Sequence, residues 1–174
     1  MLDVCPQCKS PQIKQGFMGT QKVVEYLESR FPQVRVLRMD NDTTQGKDAH
    51  YKILSAFVAK EAQILVGTQM IAKGHDFPDV TLVGIVDADM SLHFADYRSA
   101  ERTYQLITQV SGRAGRDRKA GKVVLQTYTP HHYVYRFALA NDYSGFYKKE
   151  INLREITKYP PFAKIVRVLV TGEN

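Results

Sequence analysis

The sequence predicts an α/β fold, a parallel β-sheet with helices on both faces. Three observations predict it. Short apolar runs recur at VRVLRM (34–39), QILVG (63–67), TLVGIVDAD (81–89) and KVVLQTY (122–128). Segments with apolar residues at helical spacing separate most of them, and strands that alternate with helices form parallel sheets covered on both sides. With 174 residues and 44% hydrophobic content, the chain is also long enough to bury a core of that kind.

In chain order, residues 1–18 read as a Cys-containing turn region. GTQKVVEYLESRFP (19–32) follows, with Val23, Val24, Leu27 and Phe31 at helical spacing, Thr20 as the expected N-cap and Pro32 as the stop. VRVLRM is expected to be a strand and DNDTTQG (40–46) a capping loop. KDAHYKILSAFVAK (47–60) is expected to be a helix whose apolar face is Ile53, Leu54, Phe57 and Val58. QILVG and TLVGIVDAD are short enough to be buried strands, RSAERTYQLITQV (98–110) is a helix and KVVLQTY another strand. After His131 the pattern turns helical through DYSGFYKKEINLREI (142–156). YPPF (159–162) ends that helix, and IVRVLVTG (165–172) is expected to be a strand that begins a further domain. No internal repeat or low-complexity segment interrupts the middle, which reads as one lobe over residues 19–130, with linker helices and the start of the next domain over 131–174.

The net charge of +6 is a modest excess that attracts phosphate backbones. No apolar run reaches the roughly 18 residues of a membrane span, and MLDVCPQCKS does not read as a secretory signal, so a cytoplasmic protein with no membrane partner is expected. Two cysteines spaced as Cys5 and Cys8 in such a chain point to metal or redox chemistry before a structural disulfide.

Ligands in a parallel sheet sit beyond the carboxyl ends of the strands. VGTQMIAKGHDFPDV (66–80) occupies that position. Gly67 and Thr68 follow the apolar run, placing the Thr68 hydroxyl and neighbouring backbone N–H groups where they could hold a phosphate. Gly74 allows a tight turn, and Asp76 offers a carboxylate that could accept from a sugar hydroxyl. A plain alternative is a loop whose aspartate caps the next turn. Further on, TQVSGRAGRDRK (108–119) sets Arg113 and Arg116 three apart at a helix end, with Gly112 and Gly115 leaving room around them. Two planar guanidinium forks can face one anion, which suits the charge on a transferring γ-phosphoryl group. Helix capping or surface ion pairing is the alternative for that string.

The two segments together, GTQMIAKGHDFPDV at 67–80 and QVSGRAGR at 109–116, resemble motifs V and VI of superfamily 2 helicases. With CPQC, GTQKVVEYL, RMDNDTT and YPPF, nearly the whole chain resembles the PriA family of primosomal helicases. The resemblance implies the second of two RecA-like lobes that close on ATP and Mg²⁺. It assigns Arg113 and Arg116 as catalytic arginines, and Gln109, Gly112 and Asp76 to the nucleotide. Gly67, Thr68 and Gln69 are assigned to a DNA strand phosphate, and Lys73 either assists there or is a solvated surface lysine. Single-stranded or forked DNA, the first helicase lobe and primosome proteins are the implied partners.

Cys5 and Cys8 match the last half of a pair of cysteine clusters. Zn²⁺ is therefore implied in the longer protein and a partial site here, because a tetrahedral shell needs four ligands. None of His50, His75, His93, His131 or His132 is spaced to complete it. The chain has neither a Gly-rich Lys-Ser/Thr phosphate loop nor a DExH box. The expectation is therefore a fragment with an artificial Met1, inactive as an ATPase alone. A non-catalytic nucleic-acid-binding module, or a lobe of another superfamily 2 translocase, is the competing reading.

Overall fold

The structure, a computed structural model, describes residues 19–46, 48–72, 77, 79–112, 121–168 and 170–172. The chain divides into two compact units, Met1–His75 and Asp76–Asn174. The boundary lies inside the range that the sequence pattern groups as one lobe.

In the first unit, helix α1 (Thr20–Arg30) precedes strand β1 (Val36–Met39), and helix α2 (Ala49–Val58) precedes strand β2 (Ile64–Gly67). The two strands are parallel, with Val36 opposite Ile64 and Met39 opposite Gly67. A parallel pair requires a crossover, and α2 supplies it. Helix α1 packs on both strands and α2 on β1. Among the described residues of this unit, Met39, Leu54 and Ala62 are the buried apolar ones. Val58, expected on the apolar face of α2, is instead 60% exposed, because the helix ends there and its C-terminal turn closes beyond it. Lys60, at φ 61°, and Glu61 return their N–H groups to Phe57 and Ala56. Thr20 is likewise not the N-cap of α1. Gly19 holds that place, and the Thr20 hydroxyl donates to Asp40 Oδ2 at 2.5 Å, because a buried carboxylate needs donors.

The second unit contains the parallel pair β3 (Leu82–Ile85) and β4 (Lys122–Leu125), with Leu82 opposite Lys122 and Ile85 opposite Leu125. Helices α3 (Asp89–Leu92) and α4 (Ser99–Ser111) lie between these strands in sequence, and α5 (Tyr133–Leu139) and α6 (Tyr143–Thr157) follow them. Its core joins Ala88, Tyr104, Ile107, Val134, Tyr135, Ala138 and Phe146, with the rings of Tyr104 and Phe146 stacked at 4.3 Å. The buried residues of α4 recur as Ser99, Thr103, Tyr104 and Ile107, which fixes the face it turns to that core. Asp142 caps α6 by accepting from the Gly145 N–H at 2.8 Å; a side chain at Gly145 would run into that carboxylate and the Phe137 ring.

A partly buried ionic cluster ties three of these helices together. Arg154 of α6 donates to Glu150 at 2.8 Å and to Glu101 of α4 at 3.0 Å, while the Tyr133 hydroxyl of α5 donates to Glu150 at 2.6 Å. The expected strand at 165–172 is not formed by its described residues. Ile165, Val166, Val168 and Val170 are 48–88% exposed, since a strand requires a neighbour to satisfy its backbone and none pairs with it among the described residues.

Candidate functional site

Two places lie directly beyond the carboxyl ends of parallel strands. In the first unit the Gly67–Thr68–Gln69 segment leaves β2 and enters a 3-10 turn, Gln69–Ala72. Glycine is required at 67 by close approach: a Cβ there would collide with the Met39 carbonyl oxygen and the Ile71 side chain. Thr68 and Gln69 are exposed, and their polar side chains can pair with an anionic backbone. The Thr68 N–H, one of the groups expected to face a phosphate, is directed at the Met39 carbonyl at 3.4 Å, so the hydroxyl is the donor left at the surface.

Beside this turn, β1 is followed directly by Asp40, which is 6% exposed. Arg38 Nε donates to its carboxylate at 2.6 Å, and Thr20 and the Thr43 N–H add hydrogen bonds. The Arg38 guanidinium, with those further donors and against the opposing effect of burial, holds the Asp40 carboxyl well below the usual range. Arg38 also reaches Asp42 at 3.3 Å, so its charge is matched locally.

In the second unit β3 leads through Val86 and Asp87 to Asp89, which is 3% exposed. Its carboxylate accepts from the Thr127 hydroxyl at 2.8 Å, the Tyr128 N–H at 2.6 Å, the Tyr135 hydroxyl at 2.8 Å and the Thr129 hydroxyl. Burial alone would raise its pKa, but these four donations outweigh that and bring it to about 2. Burial and the hydrogen bond to Asp89 push Tyr135 up to about 12. The sequence reading passed over both Asp40 and Asp89. An aspartate directly after an apolar run was the available signal; the donors to Asp89 lie 38 to 46 residues along the chain, whereas Arg38 and Thr43 stand two and three residues from Asp40.

Gln109 is exposed near the end of α4, and Gly112 is its C-cap with its N–H on the Thr108 carbonyl at 3.0 Å. With φ −67°, Gly112 is in the right-handed region, so its small size rather than backbone freedom is what it offers. Ser111 Oγ is buried with no hydrogen-bond partner among the described residues. Arg113, Arg116, Lys73, Asp76, Cys5 and Cys8 lie outside the described residues. Among those described, no three metal-ligating side chains cluster, and no helix is long and apolar enough to cross a membrane.

Residues 12–118 match the helicase conserved C-terminal domain family. The chain is 53% identical over 170 residues to the replication restart protein PriA of Bacillus subtilis (strain 168), covering 98% of the chain and 21% of that protein. It is 50% identical over 171 residues to the protein of that name from Synechocystis sp., again 98% of the chain and 21% of the relative, and 42% identical over 170 residues to that of Chlamydia pneumoniae, 97% and 23%. The chain thus spans about a fifth of the length of the curated relatives it matches. Parallel strands joined through helices agree with the RecA-like α/β fold of such lobes. With more than half of its length matched by the domain, the chain belongs to the helicase conserved C-terminal domain family, and nearly all of it is similar to a segment of PriA proteins.

Proposed function

We propose that this chain is the second motor lobe, over residues 19–130, of an ATP-dependent DNA helicase that acts in primosome assembly and replication restart. The observation that carries the reading is an order of features within one helicase-domain match. An exposed threonine and glutamine follow a parallel strand at Gly67, and a helix ending at Gly112 leads into Arg113 and Arg116. In this reading Thr68, Gln69 and the Gly67 backbone meet a strand phosphate, with Lys73 adding charge. Gln109, Gly112 and Asp76 face the nucleotide. Arg113 and Arg116 meet the charge that develops on the γ-phosphoryl group, a role for which a planar fork is suited. ATP and Mg²⁺ are held mainly by a first lobe that this chain does not supply.

Cys5 and Cys8 would give two thiolates to a zinc shell whose other ligands lie elsewhere in the longer protein. Single-stranded or forked DNA and primosome proteins are the partners, in the cytoplasm.

Steady-state ATPase rates of the full-length protein, with and without single-stranded DNA and beside a nucleotide titration, test this reading. Arg113→Lys and Arg116→Lys should each lower turnover by about 10³-fold while nucleotide affinity changes far less. Near-normal turnover in both variants would reduce these arginines to general positive charge and overturn the assignment.

A further inference from the structure

At the carboxyl ends of β3 and β4 a surface loop is fastened more firmly than its exposure explains. Thr127, Tyr128 and Thr129 each direct one donor, two hydroxyls and a backbone N–H, at the single buried carboxylate of Asp89. Thr129 also directs its own N–H at the Thr127 hydroxyl at 2.9 Å. The residue at the centre of this clamp is the opposite of buried: Tyr128 is 86% exposed. Enclosing an ionised carboxylate is costly, and packing alone would be served as well by apolar residues. Rigid backbone beneath a projecting ring is what the clamp achieves, and a preorganised aromatic loses little conformational freedom when something stacks on it.

The surroundings support a ligand. Asp87, next to the strand end, sits at φ 51°, a left-handed conformation that non-glycine residues rarely adopt and that recurs at binding sites. The Gln126 side chain accepts from its N–H at 3.3 Å, and the Ala88 N–H donates to the Gln126 carbonyl at 3.0 Å, so the two loops are joined side by side. Val86 and Met90, both near half exposed, add apolar surface to the same strand ends. That is the edge at which parallel α/β sheets hold ligands.

We propose that Tyr128 is a stacking platform for a nucleobase, held in place by Asp89. The inference rests on the helicase-lobe reading, which supplies two sources of a base, the adenine of the nucleotide and an unpaired base of the DNA strand.

The experiment compares unsubstituted full-length protein with Tyr128→Ala and Tyr128→Phe, using four probes: a non-hydrolysable ATP analogue, inorganic tripolyphosphate, an oligothymidylate and an abasic strand of equal length. The ring is solvent-exposed, so the melting temperature of both variants should stay at the parental value. Tyr128→Ala should weaken one base-bearing probe by roughly 5- to 100-fold, leave its base-free counterpart unchanged, and recover in Tyr128→Phe, which keeps the π-face. Loss on the ATP analogue assigns adenine; loss on oligothymidylate assigns a DNA base. Affinities within twofold for both base-bearing probes, or equal losses with and without bases, would overturn the platform. If the unsubstituted protein bound none of the four, the helicase-lobe reading itself would fall.

Discussion

A carboxylate that is 3% exposed and faces four neutral donors keeps its charge without a cation, and that makes Asp89 a reporter of folding. Its ordinary value of 3.8 falls to about 2 in the folded chain. Between those values the unfolded state binds more protons, so the stabilisation is complete above pH 4 and is lost as pH falls towards 2. The shift corresponds to about 2 kcal/mol. Urea denaturation at a series of pH values should therefore show Asp89→Asn with a pH dependence shallower than the parent's by about that amount over this window. Equal slopes would mean that the four donations do not favour the ionised form. None of this was legible in the sequence, because Thr127, Thr129 and Tyr135 lie 38 to 46 residues downstream. Gly67 was legible as a loop glycine after a strand, but its reason, a clash with the Met39 carbonyl, depends on the strand pairing.

Among the elements, the helices α1, α2, α4 and α6 and the strands β1 to β4 stood where the pattern put them apart from shifts at their ends, while one expected strand did not form among its described residues. Thr20 left the cap of α1 to serve Asp40, a tertiary demand that local propensity cannot express. The apolar run at 165–172 has strand composition but no neighbour among the described residues, and composition alone cannot provide one. The joint between α4, α5 and α6 was also invisible, since Glu101 and Arg154 are 53 positions apart. Removing the cation there strands two acids, one of them 11% exposed. Arg154→Met should cost about 3 kcal/mol in urea denaturation. Combined with Glu150→Gln, whose amide oxygen can still accept from Tyr133, the double variant should cost clearly less than the sum of the single changes. Strict additivity would show that the cluster is solvated surface charge.

For the chain as a whole, motif order was the most readable feature. Two segments matching the helicase pattern in sequence were enough to anticipate the family, while the arginines and cysteines on which the proposed chemistry depends lie outside the described residues. The absence of a phosphate-loop sequence from these 174 residues has a direct test. Phosphate release by the purified chain should stay at background with or without single-stranded DNA, because γ-phosphoryl transfer needs the cradle and metal carboxylates as well as arginines. DNA-stimulated hydrolysis that disappears in Arg116→Ala would contradict the half-site assignment. The valine-rich tail has a practical consequence for any such preparation. Ile165, Val166, Val168 and Val170 form an exposed stretch of high β-propensity without proline, relieved by the single charge of Arg167. Stretches of that composition template cross-β stacking between molecules, so the purified chain will be limited in concentration by self-association through this stretch, and an added charge at Val168 should extend its shelf life.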